Sequence, residues 1–235
     1  MRRSHLLETA MTVALFSIST GFEASGAESA PNSPAPNAKD KALVSVNGMT
    51  SSDYAECVSD LASKKVVFEQ PGAVKDQGCQ ISEAIKLATI ATSFGDVVIS
   101  GKPAMLCSFG RQFSVWVRDV AAPLTLAYTG RKLTQIEAGQ SFACRARYDK
   151  PGSIPSEHAK GDAIDIASFV LADNRRMRVK QQDSDLERDL VRALRTTACG
   201  YFTTVLGPGS DSAHAEHFHF DSGIHGATPN YRICE

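Results

Sequence analysis

Residues 214–221 read His214-Ala215-Glu216-His217-Phe218-His219-Phe220-Asp221. Side chains along an extended strand alternate between faces. His217 and His219 therefore share one face, and Phe218 and Phe220 share the other. This is the pattern of a half-buried strand, with its aromatics packed inward and its histidines turned toward a site.

A second stretch supplies partners for those histidines. Residues 156–165 read Ser156-Glu157-His158-Ala159-Lys160-Gly161-Asp162-Ala163-Ile164-Asp165. The chain has six histidines, and His158, His214, His217 and His219 all fall in these two stretches. Neutral imidazole is the commonest protein metal ligand. A catalytic zinc takes three protein donors and leaves a fourth position open. His158 on a loop, Asp165 at the start of an apolar strand and a histidine of the second cluster would form such a set. Glu216 stands beside them as a base. The competing reading is a set of satisfied polar residues with no metal, and His225, Asp162 and Asp173 are most simply solvated or turn residues. Clustering of His, Asp and Glu at this spacing favours a metal or catalytic site, so the working expectation is a zinc hydrolase.

Outward from these stretches, the elements read as a mixture. Helices are expected at 52–65, with a stripe of Tyr54, Cys57, Val58 and Leu61, and at 106–121, ended by Pro123. A third helix is expected at 186–197, with Leu186, Leu190 and Leu194 inward. Strands are expected at 66–68, 85–92, 97–99, 124–128, 141–148, 163–171 and 176–179, with extended pieces at 201–206 and 217–221. Helices that interrupt runs of strands without regular alternation imply α+β, a small central antiparallel sheet with flanking helices.

The N-terminus reads as an export signal. Arg2 and Arg3 precede an uncharged, mostly apolar run at 9–22, and Ser25-Gly26-Ala27 offers a small-residue cleavage site. Residues 1–27 are the expected signal peptide and 28–50 a Pro/Ala/Asn/Ser-rich disordered linker. Residues 51–235 are left as one domain, with no span for a membrane after signal removal. Cleavage would remove two basic residues (Arg2, Arg3) and two acidic ones (Glu8, Glu23), so the net charge stays at -1. Nothing in that balance points to nucleic acid or an anionic membrane surface. The six cysteines suit disulfides in an oxidising compartment, and their wide spacing does not suit a thiolate zinc site. Cys199 with Cys234 would tie the C-terminus to a helix end, and Cys57 with Cys79 would close a local loop. Sequence alone does not choose among the connectivities.

The residues also resemble a known group. Ser156-x-His158-x-x-Gly161-x-Ala163-x-Asp165 is similar to a motif of the zinc D-alanyl-D-alanine peptidases, and Glu216-x-x-His219 is similar to their second. The spacing His214-x-x-His217-x-His219 resembles the murein endopeptidases of that superfamily, which also holds lysostaphin-type enzymes and the hedgehog signalling domain. More widely, CSFGRQFSVWV, FACRAR, SEHAKGDAIDIASF, TVLGPGSDSAHAEHFHFD and YRIC resemble the extensin-like C-terminal domain family over roughly residues 53–235. The resemblance implies His158, Asp165 and His219 as zinc ligands and Glu216 as general base. It implies Ser156 as an orienting residue and His214 and His217 as catalytic assistants. Arg145 would stabilise the oxyanion, with Arg147 competing for that role. Glu216 and His217 are chain neighbours, so a regular strand would turn only one of them to the metal; the motif narrowly favours Glu216.

The function these readings imply is an exported, periplasmic zinc metallopeptidase acting on peptidoglycan peptides, a DD-type carboxypeptidase or endopeptidase. The alternative is a non-catalytic, metal-containing wall-binding module. Another metal, such as cobalt or nickel, is a further possibility for the same donors.

Overall fold

A computed structural model describes residues 51–147, 154–226, 228 and 231–235. The expected signal peptide and linker lie outside the described residues, as does Tyr148.

The first helix, α1 (Ser51–Ser63), buries Cys57 and Leu61 and packs Tyr54 and Val58 against the core, as the stripe requires. A long hairpin follows, β1 (Val66–Asp76) with β2 (Cys79–Thr92). Its turn is Gln77-Gly78, where Gln77 takes φ 48°. Then come β3 (Gly95–Ile99) and β4 (Ala104–Leu106).

The next stretch corrects the reading. It is helical from α2 (Cys107–Trp116) through a π-helical turn (Val117–Ala121) into α3 (Ala122–Thr129). Pro123 does not end the helix. It follows the π-helical turn directly, and that widened turn lets the helix run on past its ring and missing N–H. Residues 124–128 are therefore helix and not strand. β5 (Leu133–Ala138) comes next. Residues 141–147 form no regular strand and carry only an isolated bridge, Ala146 with Pro155.

The remainder is α4 (Glu157–Lys160), β6 (Ala163–Leu171), β7 (Arg176–Arg178), α5 (Asp185–Ala198), β8 (Thr204–Leu206), β9 (Phe218–Asp221) and β10 (Ile233–Cys234). Ser184 caps α5 by accepting from Glu187 N–H at 3.2 Å. Leu190, Val191 and Leu194 are the buried stripe of α5, and Leu186 is 49 % exposed, not inward.

The α+β expectation holds. Among the described residues the sheet, however, is larger than expected, ten strands, and mixed. Its order is β1-β2-β3-β5-β6-β9-β8-β10, with β4 on β2 and β7 on β6. Two pairs run parallel, β3 with β5 and β8 with β10. β6 lies near the middle, between β5 and β9.

One face of the central strands carries the core. Phe220 packs edge-on against Trp116 at 5.2 Å and stacks on Phe202 at 5.0 Å. On β6, Ile164 and Ile166 join this core with Phe169 and Leu171. Even and odd positions can share one face only if the strand slips once between them. The register shows that slip: Ala138 pairs Ile166 while Glu137 pairs Ser168, a β-bulge. Asp165 and Ser168 are left on the opposite face.

Three disulfides staple the domain, as an oxidising, extracytoplasmic environment allows. Cys199 joins Cys234 as expected. Cys57 does not join Cys79. Cys57 joins Cys107, tying α1 to α2, and Cys79 joins Cys144, tying the start of β2 to the 141–147 segment. Among the described residues, no helix is long and apolar enough to cross a membrane.

Candidate metal centre

Asp165 on β6 and His219 on β9 are direct cross-strand partners. Opposed side chains in an antiparallel pair fall on the same face, here the one away from Phe220. His158 reaches the same point from α4. Ser156 is the N-cap of this single turn, and its Oγ accepts from the His158 N–H. Ser156 thus acts on the backbone that carries His158. Gly161 closes the turn with φ 71°, a left-handed conformation that favours glycine, and a Cβ there would crowd Ile81 Cδ1 at 2.9 Å.

Three donor atoms converge. His158 Nε2 lies 3.0 Å from His219 Nδ1 and 3.3 Å from Asp165 Oδ1, and His219 Nδ1 lies 3.1 Å from Asp165 Oδ1. All three residues are buried. With metal–ligand bonds of about 2.0–2.1 Å, two donors on a tetrahedral ion stand about 3.3 Å apart. The triangle therefore has the size of one face of a zinc tetrahedron.

Hydrogen bonding decides which nitrogen each histidine presents. His158 Nδ1–H donates to the Ser141 carbonyl at 2.7 Å, which leaves Nε2 as the lone-pair atom. His219 Nε2 lies 3.0 Å from Asp221 Oδ2. A carboxylate can only accept, so Nε2 carries the proton and Nδ1 faces the triangle. Such outer partners are what fix ligand tautomers in metal sites.

Charge follows the same geometry. Burial pushes the His219 imidazolium down, but hydrogen bonds to Asp165 and Asp221 outweigh it and hold its pKa at about 9 without metal. Burial alone would raise Asp165, yet the His158 and His219 rings in contact with it hold it below the ordinary carboxylate range. Asp221 behaves likewise between His219 and His225.

The structure separates the remaining candidates. His217 Nε2 stands 3.6 Å from Asp165 Oδ1, beside the triangle, with its side chain 27 % exposed. Burial lowers its pKa, Asp165 opposes that, and the surrounding histidines reinforce it. It is therefore neutral at pH 7, with a lone pair. His214 packs its ring on His217 at 5.5 Å and on His219 at 5.4 Å. His214 is itself held by Asp211 Oδ1, 2.8 Å from Nδ1.

Glu216, the residue the motif narrowly favours as base, is not brought to the triangle. Its side chain is 65 % exposed and pairs with Lys180, which also holds its pKa down. Glu216 lies in the turn that precedes β9, before strand alternation begins, and there its side chain points outward to Lys180. Arg145 lies in the 141–147 segment, where its carbonyl accepts from Ser156 N–H at 3.0 Å. Arg147 does not face the triangle; it binds Glu157 at 3.2 Å and His225 Nδ1 at 2.5 Å.

Sequence reasoning missed Ser141, Asp211, Asp221 and the part played by His225, which is no bystander. Asp221 was within reach of it, because His217, His219 and Asp221 recur with period two. The others depend on contacts across the fold.

Two comparisons with known proteins find nothing: no curated protein and no solved structure matches. A third does: the family described as Extensin-like protein C-terminus matches residues 55–235.

Proposed function

We propose, for a chain that belongs to the extensin-like protein C-terminus family, that the triangle is the zinc centre of an exported metallopeptidase acting on peptidoglycan peptides. The bonds it cuts would involve D-amino acids, in the manner of a DD-carboxypeptidase or endopeptidase. The observation that carries this reading is the convergence of His158 Nε2, Asp165 Oδ1 and His219 Nδ1 within 3.0–3.3 Å of one another. The likeness of both histidine motifs to the zinc D-alanyl-D-alanine peptidases supports the superfamily and the substrate class. The three disulfides support action outside the cytoplasm.

The donors are two neutral imidazoles and a carboxylate, a set that suits zinc. When bound, zinc supplies Lewis acidity: it polarises a scissile carbonyl and lowers the pKa of water. His217 is the general base. Its neutral Nε2 accepts the proton of the attacking water and returns it to the leaving amide nitrogen. Asp211 orients His214, and the His214 ring limits the rotation of His217. Ser141, through its carbonyl, and Asp221 keep both ligating histidines in the tautomer that faces the site. Arg145 stands where the resemblance places the oxyanion-stabilising arginine, and it is assigned that contact.

One observation favours a metal-containing wall-binding module instead, the outward turn of Glu216. His217 weighs against it, because a base remains beside the donors. Mass spectrometry of purified muropeptides incubated with the mature protein decides between them. Cleavage that stops with a chelator and resumes with zinc is expected. Intact muropeptides together with sacculus binding that survives His158→Ala would establish the module.

A further inference from the structure

Behind His219 lies a line of charged groups that the reaction does not use. Asp221 Oδ2 accepts from His219 Nε2–H, and its Oδ1 lies 2.7 Å from His225 Nε2. His225 Nδ1 lies 2.5 Å from Arg147 Nη2, and the same Nη2 lies 3.2 Å from Glu157 Oε1. Glu157 immediately precedes the ligand His158. The line therefore runs from the neighbour of one ligand to the carboxylate behind another.

Valence fixes every proton along it. A guanidinium has donors only, so His225 Nδ1 must accept. Nε2 then carries the only ring proton of His225 and donates it to Asp221 Oδ1. Asp221 Oδ1 also takes the Gly223 N–H at 3.0 Å. Its other oxygen is left for His219. The chain of donors and acceptors thus places a proton on His219 Nε2, facing Asp221.

The line is also built in, rather than laid on the surface. The side chains of Glu157, Asp221 and His225 are 3 %, 3 % and 5 % exposed. Lys160 Nζ gives Glu157 a second cation at 2.8 Å. The loop carrying His225 closes onto Glu157 at Gly223, where a Cβ would fall 2.4 Å from Glu157 Cδ. Burying this much charge costs heavily unless every group is paired.

We propose that Glu157, Arg147 and His225 are positioning residues for the metal centre: acting through Asp221, they lock His219 with Nε2 protonated and Nδ1 presented to the ion. The inference rests on the zinc reading of the triangle.

The test uses the mature exported chain, zinc affinity by competition with a chromogenic chelator, and imidazole nitrogen NMR of the zinc-loaded protein. Wild type is expected to show His219 metallated at Nδ1 and protonated at Nε2. His225→Leu should weaken zinc roughly tenfold, and Asp221→Asn by roughly 10–100-fold. His225→Gln, whose amide can accept from Arg147 and donate to Asp221, should recover most of the loss. A protein weakened only by general unfolding would not be rescued this way, and thermal melts of the metal-free variants check for it. If His225→Leu binds zinc within twofold of wild type, if His225→Gln is no better than His225→Leu, or if His219 is ligated through Nε2, the inference is overturned while the zinc reading stands. If wild type itself takes up no zinc, both fall.

Discussion

Asp165 and His219 stand opposite each other across the β6–β9 pair, with Asp165 Oδ1 3.1 Å from His219 Nδ1. Two of the three proposed ligands are thus set by strand register, and a one-residue slip would turn either of them into the core. Phe218 and Phe220 make that slip costly, because it would carry Phe220 away from Trp116 and Phe202 and Phe218 away from Phe169. The aromatic face is what holds the metal face in place.

The outward turn of Glu216 and the position of His217 beside the triangle favour His217 as the base of the proposed reaction. His217→Ala should lower kcat by roughly 10²–10⁴-fold, the usual worth of a general base. Glu216→Gln should leave kcat within a fewfold of wild type. Steady-state hydrolysis of a defined muropeptide checks both. A collapse of kcat in Glu216→Gln with His217→Ala unharmed would return the role to Glu216.

Zinc uptake should depend on pH through His219. Its pKa is raised to about 9 in the metal-free protein, so at pH 7 it holds a proton that the metal must displace. Affinity should therefore climb by about tenfold per pH unit from pH 7 until it levels near pH 9. The sign for stability is the reverse. A raised folded pKa adds stability that is fully present below the ordinary histidine value and is lost as pH rises through about 9. Calorimetry in buffers of different ionisation enthalpy counts the proton, and denaturant melts of metal-free protein follow the stability.

Asp162 offers a second pH signature. Burial raises its pKa to about 7, with help from Glu157 and Asp221. The folded state prefers the protonated carboxyl, so this group opposes folding increasingly as pH rises from the ordinary carboxylate value to about 7. Asp162→Asn should stabilise the protein at pH 8 and change little at pH 4, as read by urea midpoints.

The Cys79–Cys144 bridge should matter to the site, and Cys199–Cys234 only to stability. Cys144 lies in the segment that carries Ser141, whose carbonyl fixes His158, and Arg147, which contacts His225. The bridge has a sequence separation of 65 residues; in the chain-entropy picture its loss costs about 4 kcal/mol. The double variant Cys79→Ser/Cys144→Ser should lose both stability and zinc affinity. Cys199→Ser/Cys234→Ser should lose stability while keeping its zinc affinity, measured by chelator competition below the melting range.

The site's donors were legible because they announce themselves locally. His217 and His219 flank Phe218 at the start of β9, and His158 and Asp165 fall within eight residues of each other. What stayed hidden depends on the fold. The route from Asp221 through His225 and Arg147 to Glu157 joins three chain segments, and no periodicity links them. Pro123 reads as a helix stop, and the π-helical turn before it, which lets the helix continue, leaves no local mark in the sequence. Cys57 was paired with Cys79 for nearness in sequence, whereas the helix α1 brings it to Cys107. β6 was readable as one apolar run, but its bulge, which moves the core face from Ile164 and Ile166 to Phe169 and Leu171, appears only in the register with β5.

The most direct test is the zinc content of the purified mature chain and of Asp165→Ala, by elemental analysis after dialysis against trace chelator. The wild type should hold about one zinc per chain and the variant almost none, with the fold of both retained by circular dichroism. A wild type without zinc, or an Asp165→Ala protein that holds as much as wild type, would contradict the account.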